Sequence, residues 1–570
     1  MNTAQGFSVS YKDKLLYSKY APNKAILQTV TSLNLLPGTL ILCLSPVLPY
    51  GLLELASKLP KDSLMLGIEA DLNLYDFIID YFSNNPKTEI YAPSNRSSEN
   101  SISSDWQKLL KTEKFTFISR NESFNLPVIL NKKRYITENG FSFPIAGTFR
   151  RVICINCSAG TQFCSSFYLQ LEQACTNAIM TFWANRVTLT KLGHNYSKNF
   201  FKNLKLFPQT EPIQNYFNSV YKSIIVFGAG QSIDKGIKQI KNHNQEYYIL
   251  CADTALQPLL KNGITPNGVF IEEAQQIITK AFIGTLNSST HIFAGLSSIS
   301  SLAHSFSLKN ISFFTTLYSD ADFIHKMQDS NILPPSNDPF GSVGLTAVYY
   351  ALKFRKNDEV PVFIYGLDFS YSAGITHGKD TPAHTNRLIS TNRLIPVQNY
   401  GSAFSAATKT TTDKNGLKIF TSHILSSYAN TFNSLFQNEK NLFDSGETGL
   451  KLAIPTATPS YINMQSKTDI RVKPEYDTTQ SEYDIARKST DLVQFFKNEK
   501  AALTKLKDIL TGKITLSEKE RNTIIMELIN QREYLYLHFP DGWKASTDIS
   551  FLKRVRAEIE IFLKIFKDEK

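Results

Sequence analysis

The stretch Ile224-Ile225-Val226-Phe227-Gly228-Ala229-Gly230-Gln231-Ser232-Ile233-Asp234 decides how the rest of this chain is read. Its apolar residues, closed by glycines, predict a buried strand over Ser223 to Phe227, and the periodic run that follows predicts a helix over Ile233 to Lys241. A strand that delivers glycines to a helix start presents backbone N–H groups and a positive helix end to phosphate. The third glycine of the dinucleotide fingerprint is absent and no Gly-Lys-Ser/Thr follows, so neither a nicotinamide dinucleotide nor a Walker-type ATP site is indicated. A tight strand-to-helix turn without a ligand is the plainer alternative.

Working outward, strands are predicted at Tyr247 to Cys251, Val269 to Glu272, His291 to Leu296, Ile311 to Thr316 and Val362 to Tyr365, with helices at Ala255 to Lys261 and Leu345 to Lys353. Strands alternating with helices at this spacing imply a doubly wound parallel sheet, a Rossmann-like α/β domain over 206–470. Residues 1–205 repeat the rhythm with strands Gly38 to Leu44 and Ser63 to Glu69 and helices Tyr50 to Leu59 and Leu72 to Phe82. There the first strand runs into Ser45-Pro46-Val47-Leu48-Pro49 without glycines, which marks a degenerate Rossmann-like α/β domain and argues against a working cofactor site there. Asn95 to Asp105 is a polar loop, Arg151 to Cys157 a buried strand, and Thr161 to Leu206 helical. Asp413 to Thr421 carries an Asn-Gly hairpin signal. Residues 471–570 predict a helical bundle in pieces near 480–511, 517–538 and 547–568, with Ser517 and Thr547 as N-caps.

With 570 residues, 42% of them hydrophobic and 39 Phe and 26 Tyr among them, the chain has ample material for several cores. Sixty-one Lys and Arg against 50 Asp and Glu leave a net charge of +11. The lysines are scattered and no run of five basic residues occurs, which favours a basic surface tolerant of acidic substrates over nucleic-acid binding. The opening MNTAQGFSVSYKDK lacks the pattern of a secretory signal, so the chain is expected to be cytoplasmic. The most apolar stretch, Thr39 to Leu55, is broken by Pro46, Pro49 and Gly51 and is too short for membrane insertion. Six cysteines fit a reducing compartment. Cys154 and Cys157 form a Cys-x-x-Cys without a second ligand pair, and packed thiols are expected there, not a metal.

Ligands of open α/β sheets bind at the carboxyl ends of the strands. The candidate binding residues therefore lie at successive strand ends: Gly228, Gly230, Gln231 and Ser232 after the first, then Asp253 and Thr254, which either read a ribose or base edge or cap a helix. Gly341, Ser342 and Thr346 open a later helix and suit an anion, or simple capping. Gly366, Asp368 and Tyr371 close the strand at Val362 to Tyr365. His377 and His384 follow, and either could serve as general base for a hydroxyl, since histidine titrates near neutrality. Thr385 to Ile389 and Thr391 to Ile395 repeat the sequence TNRLI, an echo too short for a structural repeat.

These elements in this order resemble the motility accessory factor (Maf) family of flagellin glycosyltransferases, whose central domain is similar to archaeal pterin pyrophosphokinases and bacterial sialyltransferases. Gly228 to Ile233 matches the family's GxGPSL-type loop with Gln231 in place of proline. Ala252 to Leu256 through Gly263-Ile264-Thr265-Pro266, then Gly341 to Ala347, then Gly366-Leu367-Asp368, match later segments; Tyr17 to Pro22 and Asp444 to Gly449 match the flanks. Glu272-Glu273-Ala274 stands where the family usually carries an aspartate. The resemblance implies transfer of a nonulosonic acid of the pseudaminic or legionaminic kind from its CMP-activated donor to Ser or Thr of flagellin, serving flagellum assembly and motility. It further implies no cofactor or metal, a CMP phosphate on the Gly228 loop and the Ser342 helix start, His377 or His384 as base, and Arg387 or Arg393 facing the donor carboxylate. Two other functions are compatible with the sequence. One is a pterin pyrophosphokinase-like enzyme. The other is a flagellin-binding chaperone with a degenerate site, which the Gln231 and Glu272 departures would suit.

Overall fold

The computed structural model describes residues 2–3, 6–80, 104–131, 135–136, 142–144, 146–285, 289–303, 305–319, 321–395, 405, 407–465 and 478–567, with side chains from residue 6 onward except at 135–136, 142 and 478–489. The chain divides into two compact units, Met1–Lys191 and Leu192–Lys570.

In the first unit, α1 (Lys24–Ser32), β1 (Thr39–Leu44), α2 (Leu52–Lys58), β2 (Leu64–Glu69), α3 (Leu72–Ile78), β3 (Phe115–Ser119) and β4 (Arg151–Asn156) precede a long helix α4 (Ser165–Leu206). The sheet has the order β4-β1-β2-β3 and is parallel throughout. Every residue of β1 and β2 is buried, as expected of parallel strands covered on both faces. The strand expected to be buried at Arg151 to Cys157 is instead β4, the sheet's outer strand, with Ile155 alone buried in its span; a strand with one neighbour is covered from one side. Where a ligand crevice would open, β1 runs into Ser45, which adopts φ 50°. Its hydroxyl donates to Glu69 (2.7 Å) and its carbonyl accepts from Ser158 (2.8 Å), so the chain's own side chains fill the edge. Cys154 and Cys157 carry free thiols, the latter buried. The loop expected at Asn95 to Asp105 lies outside the described residues up to 103.

The second unit carries β5 (Ile224–Phe227), α5 (Ile233–Ile240), β6 (Tyr248–Ala252), α6 (Leu256–Lys261), β7 (Gly268–Ile271), β8 (His291–Gly295), β9 (Ile311–Thr316), α7 (Asp322–Asp329), β10 (Ser336–Asn337), α8 (Val343–Phe354), β11 (Val362–Tyr365), α9 (Pro382–Ile389), β12 (Thr408–Thr412), β13 (Lys418–Ser422), α10 (His423–Phe436) and β14 (Leu442–Asp444). Eight strands pair in the order β10-β9-β8-β7-β6-β5-β11-β14, all parallel. Strand order reverses between β5 and β11, the topological switch point where such sheets open a crevice. One face of the sheet is sealed by α8, whose sequence is apolar nearly all round, and Phe270, Phe293, Phe314, Tyr350 and Phe354 pack there in one cluster. β12 and β13 form the hairpin that Asn415-Gly416 signals, with Gly416 at φ 81°.

A helical bundle, α11 (Thr478–Leu510), α12 (Glu518–Asn530) and α13 (Ile549–Ile565), closes the second unit. Ser517 caps α12 in a full capping box with Glu520. Asp548, not Thr547, caps α13, because its carboxylate reaches the amides of Ser550 and Phe551. Glu533 accepts from the amides of Asp322 and Phe323 at the start of α7, tying the bundle to the sheet. Among the described residues no helix is long and apolar enough to cross a membrane.

Phe270 is fully buried and stacks on Phe293 at 4.8 Å and Tyr350 at 5.5 Å. Phe270→Ala is expected to destabilise the second unit by about 3–5 kcal/mol in urea denaturation; a loss under 1 kcal/mol would contradict this core assignment.

Candidate functional site

Two backbones meet at the switch point. A Cβ on Gly366, which has φ 72°, would stand 2.2 Å from the Gly228 carbonyl, and one on Gly228 would stand 2.4 Å from the Gly366 carbonyl. Only glycine fits either position. This contact uses up much of the loop's hydrogen-bonding capacity. Gly228 N–H donates to the Tyr365 carbonyl (2.7 Å), Gly230 N–H to the Gly366 carbonyl (2.8 Å) and Ser232 N–H to Asp368 (2.8 Å). Of the loop N–H groups that the sequence offers to a phosphate, those of Ala229 and Gln231 are without an acceptor among the described residues.

A cavity of about 420 Å³ opens at this edge. It is lined by Gly228, Ala229 and Gly230, by Asp253 and Thr254, by Ser342 to Gly344, by Gly366 to Tyr371, by Thr376 and His377, and by Leu425 and Tyr428. Three strand ends, those of β5, β6 and β11, and the start of α8 thus converge, and the first amides of α8 have no intrahelical partner. No lysine or arginine is among the lining residues. An anion here would be held by amide dipoles and helix ends.

Several sequence candidates lie just behind this wall. Ser232 is buried, and its hydroxyl donates to Asp368 (2.5 Å) while accepting from the Gly366 amide (2.7 Å). Thr346 is fully buried and donates to Glu272 (2.6 Å). Gly341 has φ 81° and lies against the Tyr428 ring. The Gln231 side chain accepts from the amide (3.0 Å) and hydroxyl (2.8 Å) of Ser372. Together with bonds from Gly378 N–H to the Ala229 carbonyl and from Lys379 N–H to Asp234, it pins the segment that carries His377.

The structure separates the two histidines. His377 lines the cavity, with Nδ1 3.1 Å from the Thr376 hydroxyl, which also accepts from Arg387 (3.4 Å). Burial, reinforced by the Arg387 charge, lowers its pKa below the ordinary histidine value, so the ring is neutral at pH 7. His384 is not among the lining residues and accepts from the Asp380 amide (3.2 Å) within a turn. Arg387 is half-buried beside Thr376, and Arg393 is exposed. Sequence reasoning missed Leu425 and Tyr428, both on α10. The apolar spacing Ala429, Phe432, Phe436 behind the cap Ser422 was the available signal. Among the described residues no group of three His, Cys, Asp or Glu side chains is placed to hold a metal ion.

Desolvation pushes both Asp253 and Asp368 up from 3.8 to about 6. For Asp253 the folded value exceeds the unfolded one, so its contribution to stability is present below pH 4 and is lost as pH rises through 6. Asp253→Asn cannot ionise. Its stability relative to wild type is expected to increase from pH 4 to pH 7 by on the order of 3 kcal/mol at most, read from urea denaturation at both pH values; a pH-independent difference would contradict the burial of this charge.

Comparison with known proteins places this geometry among relatives. Residues 194–374 match the model of the family described as 6-hydroxymethylpterin diphosphokinase MptE-like. An uncharacterized protein of Treponema pallidum (strain Nichols) is 29% identical over 583 residues, spanning 99% of this chain and 94% of that protein. The solved structure of a Maf glycosyltransferase from Magnetospirillum magneticum AMB-1 aligns with a TM-score of 0.52 at 12% identity, covering 98% of this chain and 89% of that one. The chain is therefore similar in sequence, across 194–374, to MptE-like diphosphokinase domains, and similar in fold to a Maf glycosyltransferase.

Proposed function

We propose that this chain is a cytoplasmic glycosyltransferase that moves a nonulosonic acid from its CMP-activated donor to a Ser or Thr hydroxyl of flagellin. The observation that carries the reading is the cavity itself, which gathers amide-rich strand and helix ends on one side and a neutral, half-buried histidine on the other. The donor's single phosphate would sit on the amides of Ala229 and Gln231 and the first turn of α8, which supply partial positive charge without a metal. His377 would take the acceptor's proton. If Nδ1–H donates to Thr376, whose hydroxyl oxygen already accepts from Arg387, Nε2 is left with its lone pair for that task. The anomeric carbon–oxygen bond to phosphate breaks as the acceptor oxygen closes on the sugar, and CMP leaves with the bond's electron pair. Arg387 would face the donor carboxylate.

The match of residues 194–374 to MptE-like diphosphokinases favours a second reading, pyrophosphoryl transfer from ATP to a pterin alcohol in the same cavity. The two separate on product: CMP release with flagellin and donor against AMP release with ATP and a hydroxymethylpterin.

With purified full-length chain, CMP-sugar donor and flagellin, His377→Ala is expected to lower the transfer rate by about 10²-fold or more while CMP affinity in calorimetry stays within a few fold. His384→Ala is expected to leave both unchanged. Equal loss in the two variants, or transfer undiminished in His377→Ala, would overturn the assignment of the base. Flagellin binding with no turnover of either donor would point to a chaperone.

A further inference from the structure

At the carboxyl edge of the second unit's sheet, three desolvated carboxylates follow strand ends: Asp253 after β6, Glu272 after β7 and Asp368 after β11. Two of them are fully engaged by the protein. Asp368 accepts from the Ser232 hydroxyl on one oxygen and the Ser232 amide on the other. Glu272 accepts from Thr316 on one oxygen and Thr346 on the other. Asp253 differs. Its Oδ1 takes both the amide (2.6 Å) and the hydroxyl (2.7 Å) of Thr254, and Oδ2 has no donor among the described residues. The residue is 3% exposed and lines the cavity. With no protein donor, Oδ2 is left to accept from what occupies the cavity, solvent or a ligand.

We propose that Asp253 makes the chain selective for ribonucleotides, its Oδ2 accepting a hydrogen bond from the ribose 2′-hydroxyl and so discriminating against 2′-deoxy ligands. The inference rests on the reading of the cavity as a nucleotide site, and it is independent of which nucleotide. Phe227 pairs with Cys251 across β5 and β6, so Ala229 and Asp253 leave the sheet side by side on strands about 4.8 Å apart. A phosphate held on the Ala229 and Gln231 amides places its ribose over the neighbouring strand end. An acidic residue at the end of the second strand, roughly 20 residues beyond the glycine loop, is where open α/β sheets meet a ribose hydroxyl. Asp253 also has the right chemistry, since an ionised carboxylate oxygen accepts and cannot donate. Burial and the nearby Glu272 and Glu273 carboxylates raise it to about 6, so selectivity weakens as pH falls below that value.

The test is calorimetric titration of the full chain with CMP, 2′-deoxy-CMP, ATP and 2′-deoxy-ATP, in wild type and Asp253→Ala. Wild type is expected to bind the ribo form at least about tenfold tighter than the deoxy form of its nucleotide, and Asp253→Ala to bring that ratio within about twofold of one while the deoxy ligand still binds. Because the readout is a ratio within each protein, a general weakening of the site cancels. Should Asp253→Ala fail to fold by circular dichroism, Asp253→Asn, which retains an acceptor for Thr254, is expected to reduce the ratio. Equal ribo and deoxy binding by wild type, or a preference that survives both substitutions, overturns the proposal and points to an exocyclic base amine as the donor. An Asp253-dependent preference seen with ATP but no binding of CMP upholds the proposal and removes the CMP-sugar reading. No binding of any nucleotide removes both.

Discussion

The contact on which the second unit depends is backbone against backbone, where Gly228 and Gly366 close to a distance that no side chain permits. It joins the two strands at which sheet order reverses. At this point the loops after β5, β6 and β11 and the start of α8 come together around the cavity. The same contact orders what lies behind: Gly449 packs on the Asp368 backbone with φ 107°, Leu450 N–H donates to the Asp368 carbonyl, and Ser232 bridges Asp368 and the Gly366 amide. A larger residue at either glycine would displace all of these together.

The electrostatics of the edge follow from burial more than from formal charge. The chain carries +11 overall, yet the cavity wall contains acids, aromatics and His377 but no lysine or arginine. Lys414 is engaged with Asp444 and the Gly446 carbonyl behind Asp368, where its charge offsets part of the cost of two desolvated carboxylates. On the proposed reading, the amides that would hold an anion are in place before any ligand arrives, which is the arrangement that favours charge developing on a leaving phosphate. The first unit shows the contrasting outcome. It has the same local order of a first strand flanked by its successor and by a returning strand, but Ser45, Ser158 and Glu69 occupy the edge where the second unit leaves space.

Strands were legible in the sequence because both faces of a parallel sheet are covered, so each reads as an unbroken apolar run, as in Ile224 to Phe227 or Val362 to Tyr365. Strand ends then indicated which loops share an edge, and residues quoted from four separate segments do line one cavity. What each polar group does there was not legible. Ser232 and Thr346 read as ligand-facing hydroxyls, but each is turned toward a carboxylate far away in sequence, Asp368 and Glu272, and such pairing depends on tertiary register. The choice between His377 and His384 likewise hangs on the path of a loop held by Gln231, Ala229 and Asp234. Helix α10 escaped notice because its apolar stripe is interrupted by serines and asparagines, and with it went Leu425 and Tyr428.

The central claim is that the β5–β11 switch point holds a nucleotide. Hydrogen–deuterium exchange of the full chain with and without CMP locates the ligand without assuming any residue's role. Protection concentrated at 228–232, 252–254, 342–344, 366–371, 376–378 and 425–428 is the expected result. Protection confined to the first unit or to the helical bundle, with these segments unchanged at saturating CMP, would contradict the account.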